Sequence, residues 1–193
     1  MPNHTTNILT IDGSAHEVVR FIEENKNNKQ DLTFEASLPT PEESKERENV
    51  VHLKEKCDDD PNKVLFPSWY TWRVENWGTK WDCYDVEDWD DNKIRYFTAW
   101  SPATNFYLHV SLMYPDLTFH HAFADEGAGF LGEETIKEGK VEESYDYGWD
   151  SEAGIALRGE LGVYYPEDED EEEEVLPSWM SRDGDTYTIS DKD

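Results

Sequence analysis

Apolar residues recur at helical spacing between residues 15 and 25, where Val18, Val19, Phe21 and Ile22 alternate with Glu17, Arg20, Glu23 and Glu24. Ser14 precedes this run and Glu17 stands three residues on, a capping-box pattern that starts the helix at residue 15. Upstream, residues 7–11 read as a short strand, with Asp12-Gly13-Ser14 as the turn into the helix. Residues 32–38 set Leu32, Phe34, Ala36 and Leu38 against Thr33, Glu35 and Ser37, the period of two of a half-buried strand, which Pro39 and Pro41 close.

The pattern then thins. Residues 41–66 form a polar insertion, in which a helix is predicted over residues 42–56. Trp69 and Trp72 are an i, i+3 pair that would share one helix face. After Gly78, residues 80–89 and 93–100 read as two strands of a hairpin around Asp90-Asp91-Asn92. A helix follows from Ser101-Pro102 through Phe106, Tyr107, Val110, Leu112 and Met113 to Pro115. Residues 118–124, 132–139 and 140–147 read as strands, separated by the Asp125-Glu126-Gly127 turn and by Gly139. Two helices among four or more strands give an α+β class: a ferredoxin-like split βαβ antiparallel sheet with helices on one face. The predicted organisation is one domain over residues 1–165 and an acidic tail over 166–193, whose short apolar motif at 175–180 would dock on the domain or a partner.

Charge changes the picture. The 193 residues carry 45 acidic and 17 basic side chains, a formal net charge of −28. Such a chain repels nucleic acid and anionic membranes and attracts basic surfaces, so direct nucleic-acid and membrane binding are disfavoured. Eight Trp, ten Tyr and eight Phe argue against a disordered chain, because solvated chains lack such hydrophobes. Residues 166–193 hold twelve acids and two bases, a net of −10, which leaves −18 of the −28 on residues 1–165. The predicted domain is therefore acidic in its own right. With no apolar run near the roughly 20 residues that span a bilayer, and two cysteines, Cys57 and Cys83, outside any CxxC pattern, the chain reads as a cytoplasmic protein with no cofactor.

Candidate chemistry is sparse. Trp77-Gly78-Thr79-Lys80-Trp81 sets a lysine beside indoles, which suits cation–π contact, although tryptophans around a glycine turn more often anchor it in a core. His120 and His121 near Asp125 invite a metal or acid–base reading, but adjacent residues of a strand point to opposite faces and cannot easily share an ion. No nucleophile elbow, P-loop or dinucleotide motif is present, so no catalytic residue is assigned. The acids themselves are the remaining signal. The candidate partner-binding residues are Asp82, Asp85, Glu87, Asp88, Asp90, Asp91, Asp125, Glu126, Glu133, Glu134, Glu142 and Glu143. Alternate acids of a strand over residues 82–90 would project about 6.8 Å apart, a phosphate-like array.

The segment WYTWRVENWGTKWD from Trp69, with FTAWSP from Phe97, YPDLTF from Tyr114 and AFADEGAGFLG from Ala122, resembles the YubB-type ferredoxin-like family of phage and conjugative-plasmid proteins. NILTIDGSAHEVVRFIE from Asn7 and LTFEASLPTPE from Leu32 extend the likeness over most of residues 7–147. The resemblance implies a ferredoxin-like fold and an origin in mobile elements, and it brings no reaction or catalytic residues. Charge and resemblance together lead us to expect a DNA-mimic inhibitor of a host defence nuclease complex, of anti-CRISPR or antirestriction type, acting on a basic protein or nucleoprotein partner. Two other classes fit the sequence: a small-ligand or nucleotide-handling enzyme with a pocket near the WGTKW and DEG motifs, and a structural module of a larger assembly.

Overall fold

The computed structural model describes residues 3–46, 67–87 and 92–164, and the backbone of 180–183 and 186–189. Strand β1 (His4–Asp12) is longer than its sequence pattern suggested, and most of it is buried on both faces, as befits a strand at the interior of a covered sheet. It feeds α1 (Ala15–Glu24), where the Ser14 hydroxyl accepts the Glu17 amide at 3.3 Å. Val18 and Phe21 point into the core, with Phe21 edge-on to Tyr114 and Phe119, each 5.3 Å away. Val19, expected on the same face, is exposed.

The strand expected at residues 32–38 is instead an irregular segment ending in one helical turn, α2 (Phe34–Ser37). The cause is tertiary. Asp82, far along the chain, accepts the Phe34 amide at 2.7 Å and the Thr33 hydroxyl at 2.6 Å, as a cap would. The Phe34 ring then packs 4.3 Å from Phe106 and edge-on to Trp77. Of the helix expected over 42–56, one turn, α3 (Glu42–Lys45), is described, and residues beyond 46 lie outside the described part.

Helix α4 (Trp69–Trp77) starts at Ser68, whose hydroxyl accepts the Thr71 amide, and stops at Gly78, whose φ of 86° suits a glycine. The hairpin strand expected at 80–89 is not formed among the described residues. Asp85 has a left-handed φ of 47°, and contact with the next strand reduces to the Tyr84–Phe97 amide pair and the Glu87 amide on the Arg95 carbonyl. Asp88, Asp90 and Asp91 lie outside the described residues, as does the 175–179 part of the apolar tail motif.

Strand β2 (Lys93–Ala99), helix α5 (Thr104–Met113), and strands β3 (Thr118–Asp125), β4 (Leu131–Lys137) and β5 (Lys140–Asp146) follow the predicted order. The antiparallel sheet runs β2-β1-β3-β4-β5. Strands β2 and β3 are therefore parallel to each other, joined by α5 and separated by β1, which is the split βαβ plan of the ferredoxin-like class. One helix had no counterpart in the sequence reading. Helix α6 (Glu152–Leu161), capped by Ser151 and stopped by Gly162 at a φ of 66°, packs Leu157 and Leu161 on Ile8, Ala124 and Leu131, across the sheet from α1 and α5. Strands β6 (Met180–Asp183) and β7 (Thr186–Ile189) form a separate hairpin.

A polar network threads the α5 side of the sheet. Thr98 donates its hydroxyl hydrogen to the Ser101 carbonyl, so it must accept from Asn7 Nδ2 at 3.0 Å. That orientation turns Asn7 Oδ1 toward His121 Nε2 at 3.0 Å, which therefore carries a hydrogen. His121 Nδ1 meets Glu134 Oε1 at 2.9 Å, and a second proton must lie between these two groups, since two bare acceptors would repel. Both residues are buried. Breaking a buried pair from one side leaves the other group uncompensated, so Glu134→Leu is expected to lower stability by about 3 kcal/mol, while adding His121→Leu recovers most of the loss. Urea midpoints at unchanged slope measure both; a double variant as unstable as the single would show that the pair is not coupled.

Candidate functional site

Register decides which acids reach solvent together. In β3 and β4, His120 lies opposite Thr135 and Ala122 opposite Glu133, and in β4 and β5 Glu133 lies opposite Tyr145 and Thr135 opposite Glu143. All of these project to the α6 side, the reverse of His121 and Glu134. With Thr10 of β1 and Glu160 of α6 they enclose a hollow of about 210 Å³. Its polar walls are held from neighbouring positions: Tyr147 donates to Glu133 at 2.6 Å, Lys93 pairs with Glu160 at 2.6 Å, and His120 bridges Asp12 at 3.0 Å and Thr135 at 3.1 Å. Glu143 has no hydrogen bond or ion pair among the described residues. Three carboxylates and an imidazole converge here, a setting that favours a cationic guest.

A second hollow, of about 260 Å³, opens on the same face where His4, Thr6 and Phe97 meet Asp85 and Glu126. Left-handed Asp85 and the turn after β3 bring these two acids together from far apart in sequence. Tyr84 donates to the Thr98 carbonyl and so accepts from His4 Nδ1 at 2.7 Å. Burial, with the charges of Asp85 and Glu126, pushes the Tyr84 phenol up to about 12.

The twelve candidate acids thus separate. Asp85 and Glu126 share one hollow, Glu133 and Glu143 the other, Glu142 stands exposed on β5, and Glu87 pairs with Arg95 at 2.7 Å. Three are engaged within the fold: Asp82 caps residues 33–34, buried Glu134 holds His121, and buried Asp125 accepts the Gly129 amide at 3.1 Å within its own turn. The evenly spaced array expected over residues 82–90 has no strand to carry it among the described residues 82–87. Glu160 and Asp12 escaped the sequence reading, Glu160 because α6 did; the frame of Ser151 and Gly162 around residues 152–161 was the available signal.

The WGTKW segment is largely an anchor. Trp77 is fully buried and donates to the Leu38 carbonyl at 2.9 Å, and buried Thr79 donates to the Ala99 carbonyl at 3.1 Å. Lys80 does make cation–π contact, but with Trp81 at 3.9 Å and Trp100 at 3.5 Å rather than with Trp77. The Cys83 thiol is buried and donates to the Leu32 carbonyl; burial and the Asp82 charge push its pKa well up, which opposes thiolate chemistry. Among the described residues, no three His, Cys, Asp or Glu side chains are grouped to hold a metal ion. No described helix is long and apolar enough to cross a membrane.

The hydrogen bond to Glu133, first, and then burial and the Glu133 charge push the Tyr147 phenol from 10 up to about 12. A folded-state value raised above the unfolded one means that this bond supports the fold below pH 10 and ceases to do so as pH rises through about 12. Ultraviolet titration of the protein against its Tyr147→Phe variant should isolate a phenol titrating near 12, and Glu133→Gln should bring it back toward 10. A Tyr147 midpoint indifferent to Glu133 would place the cause elsewhere.

Comparison with known proteins bears on the fold. A solved structure of a protein api92 from Yersinia pseudotuberculosis is 13% identical over 44% of this chain and 32% of that one, with a TM-score of 0.37. This chain therefore spans about a third of that protein's length. No curated protein matches the sequence. The family model described as the ferredoxin-like domain in Api92-like protein matches residues 76–177, a stretch that takes in α5, α6 and every strand of the main sheet but β1. The chain belongs to that family of Api92-like ferredoxin-like domains.

Proposed function

We propose that this protein is a binding protein of phage or mobile-element origin that occupies a basic, nucleic-acid-handling surface of a host defence complex, of CRISPR or restriction type, in the host cytoplasm. The observation that carries the reading is the convergence of acids from distant segments, Glu133, Glu143 and Glu160 in one hollow and Asp85 and Glu126 in the other, on a folded domain of strong negative charge. Such a surface steers basic partners from a distance and discriminates against acidic ones. Mimicry here means competition for a basic channel by grouped carboxylates at two places on one face, not a ladder of phosphate-spaced acids.

The likeness to phage and plasmid proteins noted above supports the setting. An enzymatic reading has less to stand on, since Trp77, Thr79 and Asp125, which would have lined its pocket, are turned inward.

Purified protein used as bait in host lysate should capture a basic nucleic-acid-handling complex that is released by moderate salt and competed off by DNA. With that complex in hand, Glu133→Lys combined with Glu143→Lys is expected to weaken binding by about tenfold or more, as close charge pairs commonly do. Capture that ignores both salt and DNA would overturn the proposal.

A further inference from the structure

The two edges of the main sheet are unlike. At the β2 edge, Tyr84 exchanges both amide bonds with Phe97 and Glu87 adds a third contact to Arg95, so that edge is covered. At the other edge, β5 pairs only with β4 among the described residues, and all seven of its residues are exposed. Such a strand presents a row of unpaired amides and carbonyls, the template for an added strand. It contains no proline, and a bulge at Glu142, where pairing with β4 steps from Val141 to Glu143, leaves Glu143–Asp146 as the regular part of that row.

Charge says which strand fits. Four of the seven residues of β5 are Glu142, Glu143, Asp146 and the single base Lys140. A second copy lying antiparallel about Glu143 would set Glu143 against Glu143 at its centre, and like charges directly opposite one another destabilise a ladder, although Lys140 would meet Asp146 at each end. An acidic segment is disfavoured for the same reason, and a basic strand, which meets Glu143 and Asp146 with opposite charge, fits better than a second copy. The edge is also continuous with the hollow beside α6, because Glu143 and Tyr145 of β5 form part of its wall. Alternate side chains of a strand laid along β5 fall beside those two residues on the α6 side.

We infer that β5 is a strand-addition site, and that its occupant is an extended basic segment of the partner protein, bound by main-chain pairing with lysine or arginine at alternate positions beside Glu143 and the exposed Tyr145 ring. This rests on the reading above that the partner is basic, and it adds how the partner is held. Tyr145, about half exposed and opposite Glu133, offers an aromatic face to the aliphatic stem or charged head of such a side chain.

The test uses a short fluorescein-labelled peptide of alternating lysine and threonine, matched in length to β5, titrated into the full chain and read by fluorescence anisotropy. A second peptide carries N-methyl groups on the amides along one edge, and a third carries them along the other; each keeps the charge. Strand addition predicts that one of the two methylated peptides binds about tenfold or more weakly, because its edge donors are lost, while the other binds nearly as the parent does. Hydrogen exchange should show β5 amides slowed only by peptides that bind. Equal binding of all three peptides would overturn strand addition while leaving the acidic-surface reading intact. Failure of the parent peptide to bind, in a protein that still captures its basic complex in a salt-sensitive way, would overturn the β5 site alone. Glu143→Gln, which leaves the backbone edge in place, should weaken the parent peptide and lessen its salt dependence.

Discussion

The buried contact between His121 and Glu134 governs more than the core in which it lies. Side chains of a strand alternate between faces, so shifting β3 against β4 by one residue would separate this pair and bring the wrong set of side chains inward. With Asn7 fixed by Thr98 and turned toward His121, the network also ties β1 to β3, and through Thr98 to β2. Four of the five strands thus have their register written in polar contacts rather than in apolar packing alone. The other face inherits the result: His120, Glu133 and Thr135 are held toward α6 because His121 and Glu134 are held away from it. The acidic hollow is the reverse side of the core network.

An acidic domain has to hold together against its own charge, since self-repulsion weakens a compact state. Two features oppose it. The aromatic core, with Phe34 against Phe106 and Trp77, and Tyr107 against Phe119, is large for the chain and owes nothing to charge. Several described cations are also set among acids: Arg20 beside Glu17, Arg73 beside Glu35, Lys93 beside Glu160 and Arg95 beside Glu87. Each exposed pair adds little to stability, but together they leave carboxylates such as Glu143 as the uncompensated part of the surface.

How much of this could be read from the sequence follows from how local each cause is. Helix α1 was legible because its cap and its apolar stripe lie within a few residues of each other, and α5 because aromatics and a closing proline framed it. The strand expected at 32–38 failed because its alternation was genuine but outvoted: Asp82, some fifty residues downstream, caps Phe34 into a turn and draws the ring under α5. The same long-range contacts, to the Phe34 amide and the Thr33 hydroxyl, turn Asp82 toward residues 33–34. Helix α6 was missed for a weaker reason, since its two glycines and broken apolar stripe conceal a capped helix. Among the site residues, the cross-strand pairs that gather Glu133 with Glu143 needed a register, and register is a property of the sheet, not of either strand.

The position of α6 ties the fold to its proposed use. A five-stranded sheet covered on one face by α1 and α5 leaves the other apolar at its centre, where Ile8, Ala124 and Leu131 need cover. Helix α6 covers that centre with Leu157 and Leu161 and leaves the margins open, and the two hollows lie at those margins. The acids therefore sit where burying them is not required and where an incoming cation meets low-dielectric protein on several sides, a geometry that strengthens its attraction beyond what an open, flat surface would give. A helix that completes the hydrophobic cover is, by its incompleteness, what shapes the acidic sites.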